Sequence, residues 1–199
     1  MKKIILLCAF LCAIMIANQA KAQSGFGIRA GLAFSDTKVD LIDAVDINFK
    51  SKTGLDIAVF YNYEAGNGVS LQPEVHYVQL GFKIDVFGII SPRGDLDYIR
   101  IPLLIKYDLL NANENLNLSP FIGPYFGILV SENVDLVSII ADIPFKNTDV
   151  GLDFGLNLKL ANGLFFDARY TLGFQNIVDD APIGELKNSS IALGIGYQF

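Results

Sequence analysis

Tryptophan is absent from the 199 residues, histidine occurs once, at His76, and cysteine occurs only as Cys8 and Cys12. No apolar run beyond residue 16 approaches the ~18 residues that a membrane-crossing helix needs. These shortages exclude much. A helical membrane domain is ruled out, and a single histidine leaves little room for metal or triad chemistry. Charge is lopsided as well: 15 basic against 21 acidic residues give a net charge of −6. That balance disfavours nucleic acid as a partner, because phosphate needs a basic face.

The first residues read as an address. Lys2 and Lys3 precede the apolar stretch Ile4 to Ile16, and Ala20-Lys21-Ala22 places small residues at the −3 and −1 positions of a signal-peptidase site. The pattern predicts a signal peptide over 1–22 and a mature domain over 23–199. Neither Cys8 nor Cys12 follows the small residues expected ahead of a lipidated cysteine, which argues against a lipid anchor. Both cysteines leave with the signal, so the mature chain is expected to have no disulfide. Losing Lys2, Lys3 and Lys21 takes the net charge from −6 to −9 (−6 − 3).

What the chain does have is apolar content, 52% of residues with a mean hydropathy of +0.41. A chain this apolar without a helical span can still hide its backbone from lipid by closing a β-barrel. Period-two alternation supports that reading. Phe26, Ile28, Ala30, Leu32 and Phe34 share one face, as do Leu55, Ile57, Val59, Tyr61 and Tyr63. The pattern recurs over 71–77, 99–107, 118–128, 152–160, 164–174 and 191–199, which predicts eight strands. Tight turns are expected at 65–68, 111–115 and 161–163, from their Asn and Gly content. Long loops are expected at roughly 35–52, 83–95, 131–148 and 175–188. Short turns at one rim and long loops at the other is the layout of outer-membrane barrels, with the long loops outside.

The volume of the interior decides which face meets lipid. An eight-stranded barrel is only wide enough for side chains to fill, so it cannot enclose the bulkier face of every strand. The expected fold is therefore all-β: an eight-stranded antiparallel up-and-down transmembrane barrel with a narrow, plugged lumen. Tyr61, Tyr63, Tyr77, Tyr107, Tyr170, Tyr197 and Phe199 stand in for the missing tryptophan as an aromatic girdle. A weak internal match, 39–57 with 134–154 and 67–82 with 162–174, is what a four-strand duplication would leave. Shared hairpin constraints would leave the same trace.

Arg29, Asp56, Glu74, Arg100, Lys106, Asp153, Lys159, Asp167 and Arg169 fall on the lumen-facing phase. Read functionally they line a selective pore or proton path; read structurally they pair across a narrow interior and plug it. The second is expected. His76 shares that face with Glu74, too deep for a substrate, so a structural hydrogen bond is expected and no catalytic residue, cofactor or metal. Asp36, Asp40, Asp43, Asp46, Asp179 and Asp180 crowd the loops without calcium-loop spacing and are expected to be solvated. The apolar loop residues are less easily dismissed. Val39, Leu41, Ile42, Val45, Ile47 and Phe49 lie in the first loop, Val86, Phe87, Ile89 and Ile90 in the second, and Leu136, Ile139, Ile140 and Phe145 in the third. Either strands continue past the membrane and the loops pack together, or the patch docks an envelope partner.

The segments LQPEVHYVQLGFK (71–83), YIRIPLLIKYDL (98–109), PFIGPYFGIL (120–129) and GIGYQF (194–199) resemble the PorT-like outer-membrane β-barrel family of the Bacteroidetes. The resemblance spans essentially the mature chain. It implies an outer-membrane location, contact with outer-membrane lipid, and insertion by the barrel-assembly machinery. That machinery would read Leu193, Ile195, Tyr197 and Phe199 as the C-terminal signal. It transfers fold and place rather than mechanism, so a role in type IX secretion is not carried over. Two functions remain open: a non-enzymatic scaffold acting through its loops, or a small-molecule or lipid binder capped by loops one and three.

Overall fold

A computed structural model describes residues 24–35, 38–39, 48–85, 93–112, 116–135, 146–177 and 186–199. Every regular element among them is a strand. In chain order these are β1 (Gly25–Ser35), β2 (Lys38–Val39), β3 (Asn48–Gly66), β4 (Val69–Asp85), β5 (Arg93–Tyr107) and β6 (Leu110–Ala112), followed by β7 (Leu116–Asp135), β8 (Thr148–Leu160), β9 (Leu164–Gly173), β10 (Leu186–Lys187) and β11 (Ser189–Gln198). The eight long strands pair antiparallel with their sequence neighbours, β5 meets β7, and β1 meets both β3 and β11. That last pairing closes the ring: Leu32 lies opposite Leu55 on one side and Leu193 on the other. The barrel has no open edge through this zone, so each ladder hydrogen bond has a partner within the wall.

The turns sit where Asn and Gly predicted them. Between β3 and β4, Asn67 (φ 56°) and Gly68 (φ 76°) both take positive φ, the type I′ geometry that matches strand twist. Between β8 and β9, Gly163 (φ 88°) closes back on Leu160, its N–H donating to that carbonyl at 3.0 Å. The 111–115 turn is shorter than expected: Leu110–Ala112 already pairs with β7, and 113–115 lie outside the described residues. These turns and both ends of the described chain form one rim, the turn end; the opposite rim is the loop end.

The alternation resolves as the volume argument requires. Ile28, Leu32, Leu55, Val59, Leu103, Ile122 and Leu193 project outward and are exposed, while Arg29, Asp56, Glu74, Asp153 and Asp167 point inward and are buried. Outward aromatic residues pair at both levels of the wall: at the turn end Phe26 packs on Tyr61 at 4.8 Å and Tyr197 on Phe199 at 5.3 Å, and nearer the loop end Phe154 packs on Tyr170 at 5.2 Å. Nearer the loop end the outward face turns polar, and Tyr77 donates to Asp97 at 2.6 Å.

One expectation needs correcting. The loops are shorter than predicted, because β3 begins at Asn48, β4 runs to Asp85, β5 starts at Arg93 and β7 extends to Asp135. Twenty residues of β7 span about 65 Å at ~3.3 Å each, whereas ~9–11 residues cross a bilayer. The extra length stands beyond the lipid belt, where the outward residue need not be apolar, so Ser131, Glu132 and Asn133 break the alternation. The interior also takes aromatic side chains. Phe60, Phe121, Tyr125 and Phe165 are buried inside, and each ring lies over a glycine of a neighbouring strand: Gly27, Gly155, Gly151 and Gly196 respectively. A missing Cβ on one strand makes room for a ring from the next.

Candidate functional site

The inward face of the barrel holds the only dense set of charged groups among the described residues. Arg29, on β1, reaches sideways in both directions. Its Nη1 donates to Asp56 on β3 at 2.6 Å and its Nε to Asp167 on β9 at 2.6 Å. The reach to β9 passes over β11 at Gly194, where a Cβ would lie 2.5 Å from Arg29 Nε and 2.6 Å from Asp167 Oδ1.

Arg169, also on β9, is the hub. Its Nη2 donates to Glu74 on β4 at 2.8 Å, its Nη1 to Asp153 on β8 at 3.2 Å, and Asp167 lies 3.7 Å away. The Phe121 ring sits 5.2 Å from its guanidinium carbon. Asp153 also accepts from Thr171 at 2.6 Å. His76 spans two carboxylates, with Nδ1 2.9 Å from Asp56 and Nε2 in contact with Glu74. Glu74 in turn accepts from Gln72, which accepts from Lys106 at 3.0 Å.

A second cluster lies nearer the loop end. Asp149 Oδ2 receives Arg100 at 3.1 Å, Tyr125 at 3.0 Å and Asn188 at 3.0 Å. Tyr125 also lies under the Arg100 guanidinium at 4.7 Å. At the turn end Lys159 donates to Gln198 at 3.3 Å.

Apolar groups bracket this network. Phe60 and Phe165 meet edge to face at 5.5 Å one step toward the turn end, and Leu104 is buried on the same side. Toward the loop end Leu80, Leu96 and Ile177 are each only 1% exposed. Among the described residues two cavities adjoin the charges, each leaving about 10 Å³ to the centre of a water. One borders Lys106 and Lys159 at the turn end; the other lies between Arg100 and Arg169.

Opposite charges removed from water cost several kcal/mol each unless they are well paired. Here Arg29, Arg100 and Arg169 have carboxylate partners, and the acids that face them come from other strands. The network therefore joins β1, β3, β4, β5, β8 and β9 across the interior. All ten residues expected in the lumen point inward, Lys159 half-buried and the other nine buried. Sequence reasoning missed Asp149, Tyr125 and Asn188, and left Gln72, which shares the inward phase of Glu74 and His76, out of the network. Asp149 continues the inward phase of Asp153 by two steps of two, which is the signal that would have found it.

The apolar loop residues divide. Val39 lies in β2 opposite Leu186, and Phe49 in β3 opposite Ile84, so both belong to strands rather than loops. Leu41, Ile42, Val45, Leu136, Ile139, Ile140 and Phe145 lie outside the described residues, as do Asp36, Asp40, Asp43, Asp46, Asp179 and Asp180. Leu193, Ile195, Tyr197 and Phe199 all project outward. Among the described residues no group of three His, Cys, Asp or Glu is placed to hold a metal ion.

Comparison with known proteins agrees with this architecture. Residues 17–179 match the model for the outer membrane protein beta-barrel domain. The fold is similar to Neisserial surface protein A, with a TM-score of 0.54, 16% identity, and coverage of 90% of this chain and 100% of that one. It is similar also to the outer membrane protein OprG from Pseudomonas aeruginosa, with a TM-score of 0.55, 15% identity, and coverage of 89% and 97%. No curated protein matches the sequence.

Proposed function

The chain belongs to the family of outer membrane protein beta-barrel domains, and on that premise we propose that it is a non-enzymatic, non-conducting outer-membrane scaffold of PorT-like type. Its work lies at the loop end, where it docks an envelope partner. The observation that carries the non-conducting part is the paired interior. The arginines are matched by carboxylates from other strands, apolar layers flank them, and the cavities that adjoin them among the described residues each leave about 10 Å³ to the centre of a water. A hydrated ion would have to part several of these pairs together, and each is held more tightly in a low-dielectric interior than in water.

Docking is supported by the composition of segments 40–47 and 136–145, which carry Leu41, Ile42, Val45, Leu136, Ile139, Ile140 and Phe145, since an apolar patch on an exposed loop calls for a partner. The PorT-like assignment is supported by segments 71–83, 98–109, 120–129 and 194–199.

Single-channel recording tests the first part. Purified barrel in a planar bilayer at high KCl is expected to give no unitary current steps, and regular steps would refute it. Replacing 40–47 and 136–145 with Gly-Ser segments tests the second. The barrel is expected to fold and to lose its cross-linked partner in intact cells; an unchanged cross-link pattern would refute docking.

A further inference from the structure

Arg100 Nε and Arg169 Nε, like Arg29 Nη2, have no hydrogen-bond partner among the described residues, although each side chain is almost wholly buried. Arg100 and Arg169 line the same cavity, between the loop-end cluster around Asp149 and the central cluster around Glu74. Asp56, Asp153, Ser190 and Ala192 complete the part of its wall that matters here. A buried N–H donor aimed at no acceptor is disfavoured, and two beside one cavity point to a shared guest.

Chemistry and size narrow that guest. An anion would meet Asp56 and Asp153, a cation would meet both arginines, and an apolar guest would leave both donors unpaired. About 10 Å³ open to the centre of a water is room for one molecule. We propose that this cavity is a binding site for a single structural water. It accepts from Arg100 Nε–H and Arg169 Nε–H and donates toward Asp153 and Ser190. The water joins the two clusters into one polar file, Asn188–Asp149–Arg100–water–Arg169–Glu74–Gln72–Lys106. The remaining contacts of that file are direct.

Water-to-protein NMR on the refolded barrel in lipid nanodiscs tests this. Both arginine Nε–H protons are expected to show direct cross-relaxation with a long-lived water. Protected Nε–H protons without it, or Nε–H protons exchanging freely with bulk, would overturn the proposal. Substitution Ala192→Val supplies a reading of opposite sign. Ala192 faces the cavity, so the added methyls displace the water, and the melting temperature is expected to fall by several degrees. A rise, as filling a dry apolar cavity would give, would overturn it. Melting in KCl against potassium gluconate is expected to be the same, and a chloride-specific rise would assign the site to an anion instead.

Discussion

Arg169 Nη2 lies 2.8 Å from Glu74 Oε2, joining β9 to β4 through the middle of the barrel. Both residues are almost wholly buried, so neither charge can recover its solvation if the other is removed. Arg169→Met is therefore expected to destabilise the barrel by ~3–5 kcal/mol, the usual cost of leaving a buried charge unpaired. Glu74→Leu together with Arg169→Met is expected to lose less than the sum of the two single changes, because it leaves fewer charges uncompensated. Urea unfolding in lipid vesicles, read as a double-mutant cycle, measures the coupling. Strict additivity would mean that the two residues do not act as a pair.

The absence of a Cβ at Gly194 allows Arg29 to reach Asp167 across β11. A Cβ there would lie 2.5 Å from Arg29 Nε, so Gly194→Ala has to displace the guanidinium and is expected to cost at least ~1–3 kcal/mol. Gly127 faces the same lumen, but its nearest neighbours, Arg100 Cγ and Asp149 Cβ, are at 3.4 Å. Gly127→Ala is expected to stay within ~1 kcal/mol of the parent, since it fits and also restricts the unfolded chain. Equal losses in the two variants, measured in the same vesicles, would contradict this account.

How far the sequence could be read depended on whether a feature lies along one strand or between two. The lipid-facing phase of Ile101, Leu103 and Ile105 is written in the period of a single strand, and the inward charges opposite it follow from the same period. The place of Phe121 and Tyr125 is a different matter. Their rings fit because Gly155 and Gly151 are across from them, and that depends on the β7–β8 register, which no single strand carries. Asp149 falls outside the alternation expected over 152–160, because β8 begins earlier, at Thr148. The true lengths of β3, β4 and β7 were hidden for a physical reason. Once a strand leaves lipid its outward face loses the apolar half of the signal, so Ser51 and Glu132 read as loop.

Turn geometry makes a sharper forecast. Gly68 holds φ 76° in the β3–β4 turn, a region costly for residues with a Cβ and most costly for a β-branched one. Gly68→Val is expected to lose ~1–3 kcal/mol and to slow hairpin closure. Asn67→Gly, which keeps a residue suited to positive φ, is expected to stay within ~0.5 kcal/mol. Folding into vesicles, followed by the heat-modifiable shift on a gel, reads both effects. A Gly68→Val barrel as stable and as fast as the parent would mean that the turn does not need this geometry.

The side of the wall that meets lipid can be tested by asking what a charge costs there. Leu103 projects outward from the middle of the β5 apolar run, whereas Glu132 projects from the part of β7 that extends past the belt. In a soluble protein either position, being exposed, would accept arginine within ~0.5 kcal/mol. In a bilayer Leu103→Arg has to bury a guanidinium near the midplane and is expected to cost ~2–4 kcal/mol, falling toward zero near the interfaces. Glu132→Arg is expected to cost ~0.5 kcal/mol or less. The difference between the two should be largest in vesicles and shrink in detergent micelles, which let water approach the belt. Equal, small effects in vesicles would mean that Leu103 does not face lipid, and the apolar face of the barrel would have to be covered by something else.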